Sequence, residues 1–370
     1  MDNKDKKYKK NISERIGNDT GGNKRDDGEN LTIYDIAKAA GVSPGTVSRT
    51  LNHVGYIKDE TRSRIEKVVR EMKFTPNRAA RTLKTKKTGL IFLAIPDTDN
   101  PFYIDLIKAV QNVAKFNAYS LVLYYTDGKV QDEIKALKMM HENFADGMIL
   151  VTFHFDQEHL KEIGRINSPL VISGISAAQL GGRETDRYDY VGVDTGKGMY
   201  AATKHLISQG HANIAYIGGV KDLEVFRERY SGYCNALIEN GIKIKEDYIF
   251  WGNYSESSGY EAGKYFMGMK ERPSAVCAAN DLLALGAMSA FEDEGLRMPK
   301  DMAVVGMDNI DIGFRVKPRL SSVSIAQYEI GRTAAELLMD RLNGNGKRLS
   351  RRIIFEPRLV VRESSVLIKE

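Results

Sequence analysis

With 370 residues, 9 prolines, 33 glycines and 42% hydrophobic residues, the chain has the make-up of a globular protein with a sizeable core and room for two or three domains. No apolar run approaches the roughly 20 residues of a membrane helix, and residues 1–22 lack the apolar h-region of a secretory signal, so a cytoplasmic protein is expected. The net charge of +5 hides an asymmetry: residues 31–88 carry thirteen Lys or Arg against five Asp or Glu, whereas the 282 residues that follow carry 33 against 37. A short, strongly basic segment ahead of a mildly acidic remainder is a candidate for binding a polyanion through counterion release.

Residues 1–30 are polar and rich in Gly, Asn, Asp and Lys, and read as a disordered tail. Order is expected to begin at LTIYDIAKAAGVS, residues 31–43. Thr32 is a good N-cap and Asp35 falls three residues later, as in a capping box. Ile33, Ile36, Ala37 and Ala40 then recur at helical spacing, and Gly41 can end the helix in a left-handed conformation. Ser43 is a second N-cap, with Pro44 at the first helical position, where a missing N–H does no harm. Val47 and Leu51 face inward, and KDETRSRIEKVVREM supplies a third amphipathic helix through Ile65, Val68, Val69 and Met72. Helix, short glycine turn, helix and support helix is the helix-turn-helix arrangement, and a bare three-helix packing module would look the same. The second helix would expose Pro44, Gly45, Thr46, Ser48 and Arg49, a surface of small and hydrogen-bonding groups that fits a major groove. Its single Arg can read guanine or hold phosphate.

Next comes PNRAARTLK, residues 76–84. Asn77 could cap a short helix whose apolar strip is Ala79, Ala80 and Leu83, flanked by Arg78, Arg81 and Lys84. Such a helix is too short to stand alone and needs a partner, such as its own copy in a dimer. Residues 31–91 together resemble, without an obvious gap, the DNA-binding head of the LacI/GalR family of bacterial transcription regulators. The resemblance implies DNA contacts at Thr32, Tyr34, Ser43, Pro44, Gly45, Thr46, Ser48, Arg49 and Asn52. It also implies a hinge helix contacting DNA through Asn77, Ala80, Leu83 and Lys84, with Leu83 wedged into the minor groove. Members of the family usually begin a few residues before the equivalent of Leu31, whereas this chain carries about thirty extra residues there.

From Gly89 the texture changes to short apolar runs alternating with amphipathic stretches. GLIFLAIPD, SLVLYYTD, DGMILVTF, SPLVISG and DYVGVDT read as one series of strands, and NIAYIGG, PSAVCAAN and MAVVGMDN as a second. Buried strands alternating with helices predict parallel sheets covered on both faces, here in two α/β lobes. The order of segments resembles the family's effector domain, which is similar to a sugar-binding periplasmic protein. The expected organisation is therefore a tail (1–30), a helix-turn-helix domain (31–75), a hinge helix and linker (76–88) and a two-lobed effector-binding and dimerisation domain (89–370). The first lobe is expected over about 89–192 and 324–345, and the second over about 193–323 and 346–370. The fold class is thus an all-α helix-turn-helix head with hinge helix, followed by a two-lobed, periplasmic-binding-protein-like α/β domain with parallel sheets.

Ligands of open parallel sheets bind at the C-terminal strand ends, so the site is expected between the lobes. A polyol needs aromatic faces for its C–H surfaces and charged or amide groups for its hydroxyls. Phe102, Tyr103, Asp194, Arg229, Tyr254, Asn280, Asp281 and Asp308 follow strand ends or open helices, where cleft residues belong. Asp194 and Asp281 fit helix caps equally well. Arg229, Tyr254 and Asp308 gain weight from the positions they hold in the resemblance.

Cys234 and Cys277 lack the spacing of a zinc site or a redox pair, and the six histidines form no ligand set, although His154 and His159 lie five apart. No nucleophile sits with a positioned base, so neither an enzyme nor a metal or other cofactor is expected. The expected partners are a palindromic double-stranded operator, a small-molecule effector of the carbohydrate class and a second copy of the chain, with no membrane. The absence of a heptad helix after VVRESSVLIKE favours a dimer over a tetramer. Two alternatives stay open: a carbon-catabolite regulator co-activated by a phosphorylated carrier protein, and a solute-binding protein of the same fold without a DNA function.

Overall fold

The computed structural model describes residues 31–52, 54–75, 82, 85–175, 187–221, 224–345 and 349–366. The chain divides into two compact units, Met1–Thr88 and Gly89–Glu370.

The first unit is built on α1 (Ile33–Ala40), α2 (Pro44–Leu51) and α3 (Asp59–Glu71). The Asp35 carboxylate accepts hydrogen bonds from the Thr32 backbone N–H (2.9 Å) and hydroxyl (2.8 Å). Gly41 closes α1 at φ 65°, the left-handed conformation that glycine adopts without a Cβ penalty. Ile36, Val47 and Ile65, one from each helix, are fully buried at the centre of this small core, and Val68 and Phe74 close it. Phe74 lies beyond the periodic pattern of α3, so helical spacing does not reveal it. Asn77, Ala80, Leu83 and Lys84 of the expected hinge helix lie outside the described residues.

The second unit contains two six-stranded sheets. In the first, β1 (Leu90–Ile95), β2 (Ser120–Tyr125), β3 (Gly147–Val151), β4 (Leu170–Ser173), β5 (Asp189–Val193) and β11 (Arg352–Phe355) run in the order β11-β5-β4-β3-β1-β2. Every pair in it is parallel. Alternation along β1 feeds both faces. Ile91, Leu93 and Ile95 pack towards α4 (Phe102–Phe116) and α12 (Gln327–Asp340), and Phe92 and Ala94 towards α5 (Val130–His141). All five are fully buried, so the unbroken apolar run is what a strand covered on both faces requires. The second sheet contains β6 (Ile214–Gly218), β7 (Ile249–Trp251), β8 (Ala275–Ala278), β9 (Ala303–Asp308), β10 (Ser321–Ser324) and β12 (Arg358–Val360). Its order is β12-β10-β9-β8-β6-β7, with only β12 antiparallel to its neighbour. Its helices include α7 (Thr195–Ser208), α8 (Glu224–Glu239), α9 (Glu256–Met267), α10 (Asp281–Asp293) and α11 (Asp311–Arg315).

The chain therefore passes between the sheets three times: after β5, after β10 and between β11 and β12. One expected boundary needs correction. Residues 346–370 are expected in the second lobe, but β11 pairs with β5 in the first, and only β12 onward returns. Apolar alternation identifies a strand but not the edge to which it adds. Four elements have no counterpart among the expected ones: α6 (Gln157–Ile163), the short α11, the Ser-rich β10, and β7, a three-residue edge strand of half-buried residues with too little pattern to register.

Candidate functional site

The first candidate surface belongs to the head. The Ser43 hydroxyl accepts from the Thr46 N–H at 3.2 Å and lies 2.9 Å from the Thr46 hydroxyl, which fixes the first turn of α2. Asn52 Nδ2 donates to the Ser48 carbonyl at 2.8 Å, and Thr50 Oγ1 to that of Thr46 at 3.0 Å. The short polar side chains are thus turned back onto their own helix. Arg49 is the long exposed side chain of α2, tethered only loosely by Nε to the Gly45 carbonyl at 3.4 Å. Thr32, Gly45 and Asn52 are exposed, Pro44 and Ser48 half-buried, and Tyr34 is 70% exposed. Tyr56, between α2 and α3, is 89% exposed. It is an addition to the expected surface, because a lone aromatic in a loop carries no periodic signal.

The second is a cleft of about 850 Å³, the solvent at its mouth included, at the C-terminal ends of strands from both sheets. Asp97, Asn100, Phe102, Tyr103, Phe153 and Ser173 line it from the first lobe, and Thr195, Arg229, Tyr254, Asn280 and Asp308 from the second. Ile325, on the second crossing, and Ile330 of α12 also line it. Six of the eight residues expected to meet a ligand come together here. Asp97, Asn100, Phe153, Ser173 and Thr195 are additions. Asp97, Phe153 and Thr195 end strand-like runs, Ser173 lies one residue short of such an end, and all four could have been read from that position, whereas Asn100 carries no such mark.

Arg229 is buried and donates from Nη1 to the Ala279 carbonyl at 2.5 Å, with its guanidinium carbon 5.8 Å from the centre of the Tyr254 ring. Burial opposes its charge, but Tyr254 and Asp308 more than restore it, so it stays a cation. Burial pushes the Asp308 carboxyl up to about 7, against the pull of Arg229. Near neutral pH that carboxyl can either accept or donate a hydrogen bond. Burial and then Asp308 and Asp97 hold the Tyr103 hydroxyl well above its ordinary value, so it remains a donor.

Asp194 and Asp281 stand outside the lining. Asp194 caps α7, accepting from the Lys197 N–H at 2.9 Å. Asn280, not Asp281, caps α10, through the Leu283 N–H at 2.9 Å. Asp281 is buried behind the cleft, where it accepts from the Ile310 N–H (2.8 Å) and the Ser322 hydroxyl (2.5 Å). Ser322 in turn accepts from the Asn309 N–H at 2.9 Å, and Arg362 Nη2 donates to Asn309 Oδ1 at 2.5 Å. This brace surrounds Asp308 and Asn309, whose φ angles of 109° and 57° are unusual for residues with a Cβ. Asp281 therefore holds the turn that presents Asp308. Among the described residues no group of three or more His, Cys, Asp or Glu could hold a metal ion, and no helix is long and apolar enough to cross a membrane.

The model of the lacI family of bacterial regulatory proteins matches residues 32–77, and that of the periplasmic binding protein-like domain matches residues 203–365. The HTH-type transcriptional repressor PurR of Photobacterium profundum is 32% identical over 335 residues, which span 90% of this chain and 98% of that protein. The cellobiose complex of the transcriptional regulator CelR is 29% identical with a TM-score of 0.67, covering 90% of this chain and 99% of that one. The lac repressor dimer bound to operator and the anti-inducer ONPF is 25% identical with a TM-score of 0.81, covering 92% and 100%. The head, the two-lobed domain and near-complete coverage by such relatives agree: this chain belongs to the LacI family and is a DNA-binding transcriptional regulator rather than an enzyme.

Proposed function

We propose that this regulator is a cytoplasmic repressor that binds a palindromic operator as a homodimer and is controlled by a carbohydrate held between its lobes. The observation that carries the effector reading is the cleft. A cation and a carboxyl sit among Phe102, Tyr103, Phe153 and Tyr254, which matches the alternating polar edges and C–H faces of a sugar. The cellobiose complex of CelR supports the carbohydrate class, the operator-bound lac repressor dimer supports the assembly, and the name of the PurR relative supports repression.

In this reading Pro44, Gly45, Thr46, Ser48 and Arg49 enter the major groove. Asn77, Ala80, Leu83 and Lys84 supply the hinge between head and body. Three chain crossings make a change of angle between the lobes the natural response to a ligand that touches both. That change resets the spacing of the paired heads. Coupling of this kind is reciprocal: a sugar that weakens operator binding is itself weakened by operator.

The test begins with selection from randomised duplexes at near-physiological salt, where a short palindrome is expected. Neutral mono- and disaccharides, cellobiose among them, are then added to that duplex. One of them is expected to shift operator affinity, and Arg229→Met is expected to abolish the shift while leaving affinity for the bare operator intact. An asymmetric motif would remove the dimer. A cleft that binds a non-carbohydrate metabolite and no sugar would remove the carbohydrate assignment.

A further inference from the structure

His159, on α6, is fully buried, and both of its ring nitrogens face carboxylates. Nε2 is 2.9 Å from Glu133 Oε2 on α5, and Nδ1 is 2.8 Å from Asp156 Oδ1 at the start of α6. A neutral imidazole can donate only one of these hydrogen bonds, whereas an imidazolium donates both. Glu133 is also fully buried. Its Oε1 has no hydrogen-bond partner among the described residues, and His154 Nδ1 stands 3.9 Å from its Oε2. Beyond these groups, the His141–Glu162 pair (3.4 Å) and Arg165, 3.0 Å from Glu162, are further charged groups at the contact of α5 with α6. The rings of Phe155 and Tyr188 cover the remaining side.

The cluster is joined to the cleft by a short stretch of chain. Thr152 Oγ1 donates to the His154 carbonyl (2.8 Å) and accepts from the His154 N–H (2.9 Å), pinching the backbone around Phe153, which lines the cleft. Two residues beyond His154, Asp156 Oδ1 is held by the His159 ring and by the N–H groups of Glu158 (2.9 Å) and His159 (3.1 Å), while the His154 ring makes no hydrogen bond to the cluster. We propose that Glu133, His159 and Asp156 form a proton-controlled anchor that fixes the 152–156 segment and thereby sets the position of Phe153 at the cleft.

Burial works against the imidazolium, but the hydrogen bonds to Glu133 and Asp156 outweigh it and raise the value for His159. The anchor is then complete below the ordinary imidazole value of about 6.5 and is lost as pH climbs through the higher folded value. On deprotonation Nε2–H stays on Glu133. Nδ1 can then accept the Asp156 backbone N–H, already 3.5 Å away, and the Asp156 carboxylate is released from the ring. The anchor stands whatever fills the cleft; only its consequence for effector affinity rests on the function proposed above.

The test needs neither effector nor DNA. 4-Fluorophenylalanine is placed at position 153 of the full chain carrying Asp308→Asn, which removes the other carboxyl of the cleft that titrates near neutral pH, and its fluorine resonance is followed from pH 5.5 to 9. A shift with a midpoint above about 6.5 is expected, and it should be absent from His159→Gln and from Glu133→Gln, each checked for a cooperative melt. A flat resonance in the parent, or a transition that survives in whichever variant folds, would overturn the anchor.

Discussion

Asp308 shows how a single side chain can be legible in position and illegible in state. Its place at the end of an apolar run marks it as a cleft residue, and the family resemblance adds weight. Its elevated value follows from burial that no sequence pattern reports. Because the folded value of about 7 lies above the ordinary carboxyl value of about 3.9, Asp308 favours the folded state most when protonated. That contribution is complete below the ordinary value and is lost as pH rises through about 7. The stability of the wild type relative to Asp308→Asn is therefore expected to fall between pH 5 and pH 8, by up to a few kcal/mol on the order of the linkage relation. Urea titrations of both proteins across that range would show it, and parallel profiles would refute it. Asp281 is the opposite case. Strand-end position places it among ligand contacts, whereas the hydrogen bonds to Ile310 and Ser322 make it a support for Asp308. Two adjacent polar residues at a strand end cannot be sorted into cap, contact and support without the third dimension.

At the scale of elements, local chemistry makes much of the head readable. Thr32 with Asp35, Gly41, and Ser43 with Pro44 act through neighbours within four residues, so the sequence contains both partners of each interaction. Features set by distant partners leave no such mark. The edge joined by β11 is fixed by one of them. Asp189, the first residue of β5, is fully buried and accepts from Arg341 Nε and Nη2 (2.7 Å each) and from Arg351 N–H (2.8 Å) and Nη2 (3.0 Å). One carboxylate thus ties β5 to the end of α12 and to the residue before β11. Burial would raise its value, but the two arginines outweigh burial and lower it. Its stabilisation is therefore present above the ordinary carboxyl value and lost as pH falls through the lowered one. Asp189→Asn takes the carboxylate from the Arg341 guanidinium, while Arg351 keeps Asp340 at 2.8 Å. Such a change is expected to cost about 3–5 kcal/mol at pH 7. The difference from wild type should narrow as the pH of the denaturation experiment is brought below the ordinary carboxyl value of about 3.9. An equal difference at pH 7 and in acid would mean that packing, not charge, ties these segments.

The whole molecule separates its charges by unit. Residues 31–88 hold thirteen basic and five acidic groups, and the remainder after them is net acidic, so attraction to DNA has to come from the head. Each phosphate neutralised contributes about −0.9 to the slope of log affinity against log salt, so a steep slope is expected for the intact chain. Within that field the proposed contact of Arg49 with DNA can be tested by itself. The short polar groups of α2 are occupied with their own helix, which leaves Arg49 as its long exposed donor. If Arg49 reads a base edge, Arg49→Ala should flatten the preference at one position of each half-site, by about 1–3 kcal/mol per base pair, and leave the salt slope nearly unchanged. If it holds a phosphate, affinity falls for all sequences alike and the slope becomes shallower by about 1 for each phosphate no longer neutralised. The first result is expected, because a side chain from the middle of the exposed face of a helix lying in the groove points at bases. Salt titrations of wild type and Arg49→Ala on the selected operator and on a duplex altered at that position separate the two.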